Sequence, residues 1–323
     1  MNVEPWSDVH EGDDLPVIVR GLQYLLRGHG HAIVADGLFG PATRAAVTAV
    51  QGAHGIPASG VVDLPTWLAL VRTTRLGSSG EFVKAVQSFQ LPRWVDDDPL
   101  GVDGNFGPLT EERVRWFQKS WGLSQDGAAG RETWSFLQAL RPGVDLWPLV
   151  KPGSTQATNH RVLAIQHLLR HHGASIVADG SYGPATGEAV RQWQLTHRAT
   201  YISTTAGQLD WPGLIVAAHL GDHGEHVKAI QTLLSGLVVD GHFGPLTDAA
   251  VRDLQNVFLP PADGIVGPDT WHTLVVPLFV TERQWISAEN RFAAISRAEA
   301  GNVIGIHCQR LGESLTYAGS DLG

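Results

Sequence analysis

The chain has 323 residues, 43% of them hydrophobic, with 23 Lys and Arg against 32 Asp and Glu, a formal net charge of -9. That composition is globular rather than disordered, and the acidic balance argues against a protein that tracks a phosphate backbone. Cys308 is the single cysteine, which excludes an intrachain disulfide and a cysteine-rich zinc site; no apolar run approaches membrane-spanning length.

Met1 to Asp14 is polar and acidic, without the basic and apolar regions of a secretory signal, so 1–15 reads as an N-terminal arm. Next comes a helix near Val17 to Arg27, with Val19, Leu22, Leu25 and Leu26 on one stripe. The stretch Asp36-Gly37-Leu38-Phe39-Gly40-Pro41-Ala42-Thr43 follows. Asp-Gly is a turn signal, and the proline after Gly40 starts a helix at the position where a missing N–H costs least. This second helix runs to about His54, and a short third one carries Thr66, Trp67 and Leu70.

The chain writes the Asp-Gly stretch four times, at Asp36–Thr43, Asp103–Thr110, Asp179–Thr186 and Asp240–Thr247. After each, threonine, valine and glutamine recur at four-residue steps, as in Thr43, Val47 and Gln51, along one side of a helix. From motif aspartate to third-helix tryptophan (Trp67, Trp134, Trp211, Trp271) the distance is 31 residues, except for 32 in the third copy. Such self-similarity identifies a repeat protein. The predicted fold is all-α: four tandem three-helix modules over 16–73, 74–141, 142–218 and 219–277. Copies one and three share Ile-Val-Ala-Asp-Gly, and copies two and four share Gly-Glu-x-Val-Lys-Ala, so the modules form two duplicated pairs with a seam near 141–143. The tail, 278–323, departs from the pattern and reads as helical in part, over Thr281 to Ala300.

Taken together, Val-x-x-Leu-Gln-x-x-Leu, then Asp-Gly-x-Phe-Gly-Pro-x-Thr-x-x-Ala-Val-x-x-Phe-Gln, then Asp-Gly-x-x-Gly-x-x-Thr-Trp resemble the peptidoglycan-binding domain 1 family over about 16–276. The resemblance implies three-helix bundles that dock on bacterial cell-wall peptidoglycan, commonly as accessories to wall hydrolases. The second turn departs from the pattern in copy one (Ser59-Gly60) and copy three (Ser203-Thr204), and copy three has Asp210 where a threonine precedes the tryptophan. If any module has lost binding and become a spacer, the third is the one expected to have done so.

What the family implies for the site is a shallow groove beside the helices and the Asp-Gly loops. The candidate residues are Asp36, Phe39, Thr43, Asp103, Phe106, Thr110, Asp179, Tyr182, Thr186, Asp240, Phe243 and Thr247. A stem peptide offers carboxylates, which suit helix N-termini, and amines, which suit the aspartates. Against this stands the structural role. The aromatics and tryptophans fit a small core, the glutamines fit helix-to-loop hydrogen bonds, and the aspartates fit loop caps.

Fifteen histidines raise the question of a metal. The pairs His29/His31, His171/His172 and His223/His226 lie in polar loops without an H-E-x-x-H pattern, so no metal, cofactor or catalytic residue is expected. Gly305-Ile306-His307-Cys308 matches only part of the His-Gly-Cys pattern of L,D-transpeptidases, and Cys308 is expected to be inert. The sequence thus predicts non-catalytic, multivalent binding to peptidoglycan peptides or glycan, alongside a separate wall hydrolase, at the cell wall or outside the cell by a route other than a signal peptide. Two other readings remain: a cytoplasmic or phage-particle scaffold holding a protein partner, and a wall hydrolase with its catalytic residues in the tail.

Overall fold

The computed structural model describes residues 6–89, 101–141, 144–199, 201–234 and 236–276. The tail and Cys308 lie outside them. Among the described residues there are twelve helices, three per sequence repeat. The first module has α1 (Pro16–Gly28), α2 (Pro41–Ala53) and α3 (Leu64–Leu70), and the second has α4 (Glu81–Gln87), α5 (Pro108–Trp121) and α6 (Arg131–Leu137). The third has α7 (Val162–His171), α8 (Pro184–Thr196) and α9 (Trp211–Leu214), and the fourth has α10 (Glu225–Leu233), α11 (Pro245–Phe258) and α12 (Pro268–Val275). In each module the second helix opens with proline after an extended glycine, as the sequence predicts.

The described residues divide into two compact units, one up to Leu146 and one from Trp147. Within each unit the modules pair through their first helices, α1 on α4 in one and α7 on α10 in the other. Close approach explains one sequence choice in the first pair: a Cβ on Gly28 would stand 2.7 Å from the Phe82 ring. The absent methyl group makes room for an aromatic from the neighbouring module.

A short lead-in precedes each first helix and is part of the fold. Val9, Thr74, Val150 and Ala218 form isolated antiparallel bridges to Val62, Ala129, Ala206 and Val266, just ahead of the third helices. The indole N–H groups of Trp67, Trp211 and Trp271 donate to the lead-in carbonyls of Ser7, Pro148 and Val216. The expected N-terminal arm is corrected accordingly over its described residues: Val9 is fully buried, because it supplies the backbone partner that a three-helix module lacks.

The glutamines hold the loops. Gln23 Nε2 donates to Asp36 Oδ1, the Leu38 carbonyl and Thr43 Oγ1, while its Oε1 accepts the Gly37 N–H at 2.8 Å. Gln87 repeats the pattern with Asp103, Asn105, Thr110 and Gly104. Gln166 does so with Asp179, Ser181, Thr186 and Gly180, and Gln231 with Asp240, His242, Thr247 and Gly241. Those four glycines have φ between 75° and 84°, which a side chain would strain.

The second helix of each module then repeats the device on the second loop. Gln118 clasps Asp126, Ala128, Thr133 and Gly127, and Gln255 clasps Asp263, Ile265, Thr270 and Gly264. In copy one, Ser59 Oγ takes the aspartate's place opposite Gln51. In copy three, Asp210 stands in for the threonine: its Oδ1 accepts from Gln194, and its Oδ2 accepts from Tyr201 Oη and the Gly207 N–H. The third module thus keeps the clasp with different groups.

Two outcomes follow. Gln231→Leu leaves the buried Gly241 N–H without its acceptor, so chemical denaturation should show a loss of about 1–3 kcal/mol in the fourth module. Tyr201→Phe removes one donor from a buried carboxylate and should cost about 2 kcal/mol at pH 7, read as a lower melting temperature; an unchanged melt would mean that Asp210 is held without Tyr201.

Candidate functional site

The candidate residues separate by burial. Phe39, Phe106, Tyr182 and Phe243 are at most 4% exposed, and Thr43, Thr110, Thr186 and Thr247 at most 3%. The aromatics plug the core, and the threonine hydroxyls face the glutamine amides. This corrects the expectation that all three residue types line a groove: the loop closes over the aromatic and the threonine, leaving the aspartate at the surface.

Each motif aspartate spends Oδ1 inward, on the glutamine amide and on the backbone N–H two residues on. These hydrogen bonds, the backbone one first, hold Asp36, Asp103, Asp179 and Asp240 below the usual carboxylate range. A fixed negative charge therefore sits at the mouth of each first loop. In the first, third and fourth modules exposed apolar residues lie two positions from it in the chain: Val34 and Leu38, Val177, and Val238 are each at least 70% exposed. Charge and apolar surface together can hold an amine on an aliphatic stem.

The third module also carries a groove of ≈ 440 Å³ between the end of α7 and the flank of α8, lined by Leu169, His172, Ile176, Glu188, Gln192 and Trp193 among others. Its Trp193 ring stacks on His197 with centroids 4.4 Å apart. Glu188 is clasped by Arg191 and Gln192, which pull its pKa down to about 2. The lining is thus apolar and aromatic with a neutralised polar rim, a surface suited to a sugar ring or an aliphatic side chain rather than to a strong ion. Sequence reasoning missed it, although Trp193, where the other copies have Val50, Phe117 and Leu254, was the available signal.

Two of the paired histidines have structural duties. His29 Nε2 and His172 Nε2 each lie 2.9 Å from a carbonyl at the end of the third helix, Leu70 and Leu214, and so donate to it. Among the described residues no group of three or more His, Cys, Asp or Glu side chains is arranged to hold a metal ion, and no helix is long and apolar enough to cross a membrane.

Comparison with known proteins agrees with this anatomy. The family model described as "Putative peptidoglycan binding domain" matches at 18–70, 79–137, 158–200 and 223–274. The third match stops just short of the loop that Ser203 and Asp210 rebuild. The chain is similar to the N-acetylmuramoyl-L-alanine amidase CwlL of Bacillus licheniformis, 31% identical over 116 residues, 33% of this chain and 32% of the relative. It is also similar to the zinc D-Ala-D-Ala carboxypeptidase of Streptomyces albus G, 32% identical over 111 residues, 34% of this chain and 42% of the relative. An uncharacterized protein of Kitasatospora aureofaciens is 48% identical over 59 residues, 16% of this chain and 50% of that protein. The chain therefore spans half or less of the length of these relatives. No solved structure gives a significant match. With four matches over more than half of its length, each on one clasped three-helix module, the chain belongs to the peptidoglycan-binding domain family.

Proposed function

We propose that this chain binds cell-wall peptidoglycan without acting on it, through several modules at once. The observation that carries the reading is the fourfold recurrence of an ionised, exposed aspartate on a clasped loop, each within a match to one binding-domain family. The aspartates take amino groups of stem peptides, with the adjacent exposed valines and leucines against the aliphatic part. The third module's groove adds an apolar seat for a sugar or side chain. Weak sites on one chain raise retention through effective concentration. A wall hydrolase acting beside it would gain from a partner held in place, as the amidase and carboxypeptidase names of two relatives suggest.

Mixing the full chain with insoluble peptidoglycan sacculi tests this directly. Saturable pelleting, competed by soluble muropeptides and without clearing of the suspension, is the expected result. Protein that stays in the supernatant at every pH and salt concentration would sink the proposal, and clearing would favour a hydrolase. Replacing Asp36, Asp103, Asp179 and Asp240 together by Asn preserves the Oδ1 acceptor while removing the charge. This variant should fold and bind at least about tenfold more weakly, as expected for lost charge complementarity; unchanged affinity would move the contact away from the loops.

A further inference from the structure

The two module pairs are built alike but joined by different chemistry. Aligned on their clasp glutamines, Tyr24, Gly28 and Phe82 of the first pair correspond to His167, His171 and His226 of the second, while Arg27, Glu81 and Lys84 correspond to Arg170, Glu225 and Lys228. The ionic part of the joint is thus common to both. In the first pair Glu81 takes Arg27 at 2.7 Å and Lys84 at 2.8 Å. In the second, Glu225 takes Arg170 at 2.8 Å and Lys228 at 3.0 Å. The contact beside it differs: a phenyl ring against a glycine in one, two imidazoles with centroids 4.8 Å apart in the other. The Phe82 ring also meets His29 edge-on at 5.4 Å, and burial holds that histidine below its usual value.

We propose that the joint between the third and fourth modules is an acid-sensitive switch, loosened when His171 and His226 take up protons, and that it is more sensitive than the joint between the first and second modules, where one histidine, His29, meets the aromatic ring.

The surroundings favour neutral imidazoles in the closed joint. His226 Nδ1 is buried without a hydrogen-bond partner, so a proton there would be an uncompensated donor. It sits in the first turn of α10, where the helix dipole opposes a cation. His171 faces it from the last turn of α7, where the dipole favours a cation, but a second charge there would repel the first. The groups facing the pair are Arg170 and His167 from α7 and His172 at its C-cap, Glu225 and Lys228 from α10, and Asp222 and His223 from the loop ahead of α10. At neutral pH two carboxylates stand against two cations. Glu225 is already engaged by Arg170, Lys228 and the Nδ1 of His167 at 2.8 Å. Desolvation, the largest cause for each, holds His167, His171 and His226 below the usual histidine value.

The sign follows from linkage. The open joint binds protons more readily than the closed one, so closure is fully favoured above about pH 6.5 and weakens as pH falls below it, by at most about tenfold per pH unit for each histidine. Partial exposure of His171 reduces its share.

Hydrogen–deuterium exchange on the full chain, corrected for intrinsic rates, reads both joints in one molecule. Between pH 7.5 and 5.5, amides of α7 and α10 should lose protection about tenfold relative to those of α1 and α4. The double variant His171→Gly, His226→Phe installs the glycine and phenyl ring of the first joint while keeping His167, and should cut that difference to about threefold or less. Equal behaviour of the two joints in the unaltered protein would overturn the proposal without any variant. Persistence of the full pH effect in a folded double variant would overturn the assignment to this pair. No wall ligand enters the measurement, so its outcome is independent of the binding proposal.

Discussion

A buried primary amide is the constraint on which these modules depend. A glutamine side chain taken out of water needs its carbonyl and its amide protons satisfied, and here both come from one loop. Gln23 is 1% exposed and Gln51 fully buried, and each faces a loop that presents an N–H inward on one residue and oxygens on its neighbours. Only a tight turn does that, and a glycine at positive φ permits it. The clasp therefore dictates the Asp-Gly pair, the threonine at the start of the next helix and the depth of the aromatic between them. In a module with little core, satisfied polar contacts of this kind select a single arrangement of loop and helix.

The third module shows how far the constraint can bend. Its second loop has no aspartate and no glycine at the turn, yet Gln194 is fully buried and satisfied, through the Ser203 N–H, the Thr205 carbonyl and Asp210. The replacement carries a burden. Asp210 is fully buried, and desolvation pushes its carboxyl above the usual range. Tyr201 and the Gly207 N–H offset that by donating to it. Loss of the consensus spelling is accordingly no sign of a lost fold, and the groove beside Trp193 lies on this same module.

Sequence reading reached the helices, the repeat and the glutamine bonds because each is local: steps of four residues, a turn dipeptide, a proline at a helix start. It weighed a core role for Phe39 yet kept Phe39 and Thr43 with the aspartate as site candidates, since a motif groups residues by chain position whereas burial depends on which way each one turns. Leu38 is 70% exposed and its neighbour Phe39 only 4%. The pairs were legible as a duplication, but the residues that join each pair were out of reach for a further reason. Gly28 meeting Phe82, or His171 meeting His226, joins segments more than fifty residues apart, and nothing in either stretch names its partner. The lead-in was hidden too, because Val9 acts through its backbone, which any residue but proline could supply.

Pairing also bears on what four copies can do. Four modules strung on free linkers would each give up conformational freedom on engaging a polymer. Two modules packed through α1 and α4, or α7 and α10, have already given it up on folding, so their loop aspartates are presented at a fixed spacing. A pair then suits a ligand whose own repeat matches that spacing and penalises one that does not, which turns multivalency from a gain in affinity into a source of selectivity. Where the joint is ionic and aromatic, around Glu81 and Phe82 with His29 against the ring, the spacing is less sensitive to pH. Where it rests on neutral imidazoles, around Glu225 and His226, the same architecture can release one module from the other and forfeit the advantage of the pair.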